Sequence, residues 1–496
     1  MSNERKTLPH PIQRLASAPQ IHGLEERGAV APQRAPQAPK FLKDLPRISE
    51  VYEPQQPITR KLGQLIGSHA YGGAFQSAID AVSGHRVPEL NRIRTLYQFY
   101  YFVDAVATWI PELRVFEWQG ATYHERTDYL RITQFYYYFN QSELVALQSP
   151  IDPVAGKDLT PLSLWLREFA VEWGAFLDTP ESARYLESYK YGPEYSYQDY
   201  DGGDKGMQNY KTFNEWFSRT FKDIATQRPV AQPDNERVIA FPAESTFVGQ
   251  WAISTPVPPG EPMPSQPCIV VKHVPWPIPE LLKDSAYAKD FEGGVLVHSF
   301  LNVYDYHRQH APASGIILEA KFIPGQVYLD VTLEELDDQG RQSENSALAN
   351  AVIPHRYLDA QDATGYQFVQ NRGLIVLQTA VGKIAILPMG MAQVSSVVFM
   401  TPASKGAQKA IVLTAAEKKG LGYDEQVALL NRKVGKALVN QPVRKGDMFS
   451  TFLFGGSDIV MVFERRCNVN ICASVGVHYP IRSQYAYSNI AELIKV

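Results

Sequence analysis

The sequence predicts an α+β protein, an N-terminal helical domain followed by a β-rich domain of sandwich or barrel type. Three observations predict it. Apolar residues recur at three- and four-residue steps between residues 61 and 205. From 206 to 496, short apolar runs punctuated by Gly and Pro replace that pattern. The chain has 496 residues, 45% of them apolar and 20% charged, which is enough for two or three domains and at least one sizeable core.

Residues 1–60 hold nine of the 35 prolines and show little periodicity, the composition of an extended arm or leader. Next, Ile93, Leu96, Tyr100, Val103, Ala107 and Ile110 line one helical face. Thr160-Pro161 has the form of a capping residue followed by proline at the first helical position, and Leu162, Leu166, Phe169, Trp173 and Phe176 continue the stripe. Thr179-Pro180-Glu181 repeats that start signal. The cluster "QFYYYFN" (Gln134–Asn140) is either an aromatic ligand box or core, and its all-round apolar character favours core. "FNEWFSRTFK" closes the helical part. The runs that follow, among them "CIVVKHV", "GGVLVHSFLNVYDY", "GLIVLQTAVGKIAIL" and "DMFSTFLFGGSDIVMVF", read as strands.

Composition excludes several classes. A formal net charge of −4 provides no basic field for nucleic acid or anionic membrane. The N-terminus lacks the apolar core of a signal peptide. The long uncharged stretch Ile384–Ser404 is broken by Pro388, Gly390, Gln393, Ser395 and Ser396, so it suits two buried strands better than a membrane span. Cys268, Cys467 and Cys472 are odd in number and lack metal-site spacing, which points to reduced thiols in a cytoplasmic compartment.

Chemistry concentrates in three stretches: "FPAEST" (Phe241–Thr246), "YDYHRQHAPASG" (Tyr304–Gly315) and "FGGSD" (Phe454–Asp458). Together they supply a carboxylate, two histidines and a serine, the types that activate a hydroxyl nucleophile. His307 and His310, three apart on an extended segment, point to opposite sides and have no third partner at metal-ligand spacing, so no metal is expected. The elbow of serine hydrolases, G-x-S-x-G before a helix, is absent: Ile459 stands two after Ser457 and strand-like "IVMVF" follows. What remains is attack of Ser457 on the preceding Gly456 carbonyl. The peptide becomes an ester, elimination leaves a dehydroalanine, and hydrolysis leaves a pyruvoyl group; glycine permits the strained approach. The rival from another class is a β-sandwich module that binds a ligand or protein, with Ser457 in a structural bulge.

These stretches resemble those of the phosphatidylserine decarboxylase family, whose members cleave themselves to make a pyruvoyl cofactor. The family's Gly-Gly-Ser cleavage motif stands here as Gly455-Gly456-Ser457-Asp458, and its Asp-Tyr-His-Arg-x-His-x-Pro segment as Asp305–Pro312. Residues 61–205, through "EWGAFLDTPES" and "FNEWFSRTFK", are similar to the helical region of longer soluble relatives, including fungal L-tryptophan decarboxylases. Composition gives an arm over 1–60, which resembles no known family, and the resemblance implies a helical domain over 61–205 and a catalytic domain over 206–496 cut between Gly456 and Ser457. It further implies that His310 is the base of processing, oriented by Glu244, and that His307 assists decarboxylation. Glu244 replaces the family's aspartate, and Asp458 replaces the small hydroxyl residue that often follows the serine.

The implied activity is that of a carboxy-lyase. A pyruvoyl group from Ser457 would bind the substrate's amine as a Schiff base and act as electron sink, with no pyridoxal phosphate and no metal. The expected substrate is a soluble aromatic L-amino acid such as tryptophan, the alternative phosphatidylserine. The two fragments are expected to stay associated, with no nucleic acid and no transmembrane segment, and homo-oligomerisation is left open.

Overall fold

The computed structural model describes residues 41–87, 89–118, 121–153, 158–203, 207–254, 266–335, 356–360, 364–391 and 397–496. Residues 1–40, most of the expected arm, lie outside them. From Phe41 onward the chain is packed: Leu42 is fully buried, and the Asp104 carboxylate accepts from the backbone N–H groups of Gln55 and Gln56 and from the Tyr52 hydroxyl.

Among the described residues of the N-terminal part five longer helices follow, α1 (Pro57–Ser68), α2 (Gly72–Gly84), α3 (Leu96–Ala107), α4 (Thr127–Phe139) and α5 (Pro161–Phe176). Their starts follow capping chemistry. The Thr95 hydroxyl accepts from the Gln98 N–H, and Thr160 accepts from Ser163 with Pro161 at the first turn. The Thr179-Pro180 signal opens a 3-10 run, Pro180–Tyr191, instead of an α-helix. A hairpin pairing Leu113–Trp118 with Ala121–Arg126 interrupts the expected all-helical stretch. The aromatic cluster on α4 is core: Phe135 stacks on Phe169 of α5 with centroids 4.4 Å apart, and Tyr136, Tyr138 and Phe139 are buried. A short helix, α6 (Phe213–Phe217), is capped by Thr212.

The β-rich part contributes β1 (Ser245–Ala252), β2 (Val295–Leu301), β3 (Arg308–His310), β4 (Gly315–Ile323), β5 (Arg372–Thr379), β6 (Gly382–Met391), β7 (Val397–Phe399), β8 (Pro442–Val443), β9 (Met448–Phe452), β10 (Gly456–Phe463) and β11 (His478–Tyr479). Among the described residues the largest sheet has eight strands in the order β8-β4-β5-β6-β10-β2-β1-β11, all antiparallel neighbours. A second sheet orders β7-β9-β3. The uncharged stretch from Ile384 thus runs along β6 and then, after residues outside those described, β7.

Strand β10 lies between β6 and β2 and is buried on both faces. Ile459, Met461 and Phe463 join an apolar cluster that extends from the sheet into the helices, where Phe135, Trp165 and Trp173 belong to it. Val460 and Val462 join a second cluster with Leu296, Leu387, Met389 and Phe368 on the opposite face. A near-continuous apolar run is what a strand covered on both sides requires. The protein is α+β, and helices and sheet share the first cluster.

Candidate active site

Ser457 is the second residue of β10, in register with Gly390 of β6 and Leu301 of β2. Both ladders run without a register shift from Ser457 to Phe463, so the serine is not in a bulge. The glycines serve the entry to the strand: Gly455 has φ +147°, a conformation that glycine tolerates and other residues rarely adopt. Ser457 is fully buried, and its Oγ has no hydrogen-bond partner. Buried hydroxyls are nearly always bonded, so an orphan one marks a functional position or space for a further group.

His307 occupies the same end of the smaller sheet. Its carbonyl accepts from the Phe452 N–H at 2.8 Å, at the end of β9 that leads into the glycines. Its ring stacks on Phe217 of α6, centroids 3.8 Å apart, and Phe217 meets Phe454 edge-on at 5.3 Å. Both ring nitrogens are buried without a well-formed hydrogen bond, while backbone groups of Asn302, Asp305 and Phe217 lie near enough to favour the protonated ring slightly. Burial, helped by the Arg219 charge, holds the ring well below its ordinary pKa, so it is neutral at physiological pH.

His310 lies at the other end. It pairs with Met448 at the start of β9. Phe452 stands four residue steps along β9 from Met448, roughly 13 Å of rise. His310 Nδ1 is 2.7 Å from the Gly446 carbonyl and 3.2 Å from Arg482 Nε, while Nε2 is 3.1 Å from the Tyr306 hydroxyl. Burial first, then the Arg482 charge, brings its pKa down to about 3. The two histidine rings have no bonding partner in common, in keeping with their placement on an extended segment.

Glu244, expected to orient His310, is held elsewhere. Its two oxygens accept from Arg228 Nε and Nη2 at 2.7 and 2.8 Å. The reason is electrostatic: a guanidinium makes two parallel charge-assisted bonds, whereas a histidine kept neutral by burial offers no charge. In this structure the Gly446 carbonyl, not a carboxylate, fixes the His310 ring. The structure thus brings His307 to the glycine–serine segment and keeps Glu244 and His310 with other partners.

Other residues were not foreseen. Asp305 of the Asp-Tyr-His-Arg segment is buried and 2.9 Å from His478 Nε2. His298 of β2 is fully buried, with Nε2 2.6 Å from Asp458 Oδ1. One signal could have found it: a lone histidine inside the apolar run "VLVHSFL" must have a buried partner. Among the described residues no three His, Cys, Asp or Glu side chains are grouped to hold a metal. The residues present fit a small carbonyl group built from residue 457: Ser457 Oγ is buried and unbonded, and the buried His307 ring stacks on Phe217.

Comparison with known proteins supplies the family. Residues 213–484, more than half of the chain, match the family model for phosphatidylserine decarboxylase. Phosphatidylserine decarboxylase proenzyme 3 of Schizosaccharomyces pombe is 26% identical over 296 residues, 57% of this chain and 26% of that protein. The phosphatidylserine decarboxylase proenzyme of Fusobacterium nucleatum is 23% identical over 300 residues, covering 60% of this chain and 74% of its own. L-tryptophan decarboxylase of Psilocybe cyanescens is 27% identical over 119 residues, 24% of this chain and 25% of that protein. The matches therefore span about a quarter of the yeast and Psilocybe relatives and about three quarters of the bacterial one. With Gly455-Gly456-Ser457 at the start of a buried central strand and the Asp305–Pro312 segment paired with β9 just before it, the chain belongs to the phosphatidylserine decarboxylase family.

Proposed function

We propose that the chain is a self-processing, pyruvoyl-dependent decarboxylase that acts on a primary amine bearing a carboxylate. The observation that carries this reading is the orphan Ser457 Oγ, buried directly after a glycine pair with Gly455 at positive φ. Ser457 Oγ bonds to the Gly456 carbonyl carbon, and the Gly456–Ser457 C–N bond breaks to free the Ser457 amine. Loss of the Ser457 α-proton then breaks the Cβ–O bond and releases Gly456 as a carboxylate. Water replaces the amine, which leaves as ammonia, and residue 457 becomes the pyruvoyl group.

The pyruvoyl carbonyl supplies an electrophile for the substrate amine and an electron sink for loss of carbon dioxide. The resemblance assigns the serine proton to His310, with Gly446 holding its Nδ1 side; to take it, the ring must reach Ser457 from the Met448 end of β9, and Glu244 stays bonded to Arg228. His307, neutral and with no well-formed hydrogen bond at either nitrogen, delivers the proton that replaces the carboxylate, a contribution of roughly a hundred- to ten-thousand-fold. Phe217 and Phe454 keep bulk water from that ring.

A second assignment has its own observation in favour: His307, not His310, lies at the serine end of β9 with neither nitrogen in a well-formed hydrogen bond. His307 would then be the processing base. Two substitutions separate the assignments. If His310→Ala stays uncleaved and His307→Ala is cleaved yet inactive, the first holds; the opposite pattern establishes the second.

For the substrate we favour a soluble aromatic L-amino acid such as tryptophan, in a cytoplasmic setting. Among the described residues no helix is long and apolar enough to cross a membrane, and the net charge of −4 gives no attraction to anionic lipid. One relative is named as an L-tryptophan decarboxylase. Phosphatidylserine is the second reading, supported by the names of the bacterial and yeast relatives. Processed protein offered tryptophan, phenylalanine and tyrosine alongside phosphatidylserine in mixed micelles should release carbon dioxide from a free amino acid. Turnover of the phospholipid alone would reverse the preference.

A further inference from the structure

Behind the cleavage strand lies a polar assembly that the proposed chemistry does not use. Asp458 follows Ser457, so its side chain projects from the opposite face of β10. Its Oδ1 is 2.6 Å from His298 Nε2 on the neighbouring β2, and His298 Nδ1 is 3.0 Å from the Thr364 hydroxyl. With the carboxylate accepting, Nε2 carries the hydrogen and Nδ1 accepts from Thr364. Asp458 and His298 have no exposed surface, and Asp458 Oδ2 has no partner. Around them lie Val460, Leu387, Met389 and Phe368, the last with its ring 6.3 Å from His298.

A buried carboxylate–imidazole pair is a poor stabiliser, because removing both groups from water offsets their attraction, and apolar side chains of similar size usually do as well. Burial holds the Asp458 carboxyl above its ordinary pKa, and His298 pulls it part of the way back. The location gives the pair a use. It joins the second residue after the scissile bond to a strand on the other side of the cut. Once the chain breaks, β10 begins at residue 457 and loses its upstream tether, and free strand ends fray. A reactive group must be held to within roughly 0.5 Å to work well.

We propose that Asp458, bonded through His298 to Thr364, is a positioning residue that pins the new chain end at residue 457 after self-cleavage. This inference rests on the processing described above. The pair acts through the backbone of residues 457–458 and touches neither substrate nor reacting atoms. Its effect is therefore on geometry after the cut, with the cut itself largely spared.

The test uses the full chain carrying Asp458→Ala, His298→Ala, both changes, or Asp458→Asn. Self-cleavage is followed by mass, amide exchange of residues 457–460 by mass spectrometry, and kcat and KM with whichever of L-tryptophan or dispersed phosphatidylserine the unaltered protein turns over. Each single Ala variant should cleave, lose about tenfold in kcat with KM within about twofold, and exchange those amides at least tenfold faster. The double variant should be no worse than the poorer single one, the mark of residues acting as one unit. Asp458→Asn, which still accepts from His298, should recover most of the loss. If Asp458→Ala does not fold, Asp458→Thr, too short to reach His298, takes its place with the same expectation. Cleaved variants with unchanged kcat and unchanged exchange overturn this inference alone. An unaltered protein that never cleaves overturns the processing reading and this one with it.

Discussion

Replacing His310 by glutamine should remove about one proton from the uptake that accompanies unfolding at pH 5. The ring's ordinary pKa is 6.5, and in the folded chain burial and Arg482 bring it down to about 3. At pH 5 the unfolded ring is almost wholly protonated and the folded ring about one part in a hundred, so unfolding takes up nearly one proton at this residue. The folded pKa is depressed. The contribution to stability is therefore complete above pH 6.5 and is lost as pH falls toward 3, at about 1.4 kcal/mol per pH unit and roughly 5 kcal/mol in all. His307 shifts in the same direction, while His478, Asp305 and Asp458 shift upward and oppose it, so the comparison must be between two chains that differ at one residue. Both chains should carry Ser457→Ala, to remove any difference in cleavage. The assay is proton release or uptake on guanidinium unfolding in weakly buffered solution at pH 5 and again at pH 7.5. The parent should take up about one proton more than His310→Gln at pH 5 and an equal number at pH 7.5. Equal uptake at both pH values would refute the claim that His310 is held neutral by its surroundings.

Other outcomes follow from the same geometry. After cleavage the 457–496 fragment should co-elute with the 1–456 fragment in native size-exclusion chromatography and separate only in denaturant. Ile459, Val460, Met461, Val462 and Phe463 are all buried between the two partner strands, and at about 1.5–3 kcal/mol each they total roughly 7.5–15 kcal/mol, enough for about micromolar association or tighter. Separation in plain buffer would contradict the placement of β10. Phe217→Ala removes the ring against which His307 stacks and should cost about 3–5 kcal/mol in thermal unfolding, with Phe217→Leu far milder. Borohydride added with labelled substrate should leave the label on the short fragment, and label on a lysine of the long fragment would argue for a different electrophile.

Much of the fold was legible because local chemistry and tertiary environment agree. Thr160-Pro161 starts α5 as the capping rule requires, and the aromatic run on α4 proved to be core because every face of that helix is covered. The hairpin at Leu113–Trp118 was missed although Gly120 is a turn signal in the sequence, because that one glycine was outweighed by the helical pattern on either side. The 3-10 run after Thr179 shares its start signal with an α-helix and diverges only through later contacts. At the site, motif order gave Ser457, His307, His310 and Glu244 as one constellation. Which of them touch is decided by partners far off in sequence: Arg228 claims Glu244, Gly446 and Arg482 claim the His310 ring, and Phe217 covers His307. His298 is 160 positions from Asp458, and only the adjacency of β2 and β10 brings them together.

The central claim is that Ser457 cuts its own chain. Intact mass of the purified protein and of Ser457→Ala, both denatured without reductant or heat, tests it most directly. The unaltered protein should give two masses, residues 1–456 and residues 457–496, the shorter one lighter by one ammonia than a peptide that begins with serine. The variant should give a single full-length mass. One full-length mass from both proteins, or two fragments from both, would contradict the account.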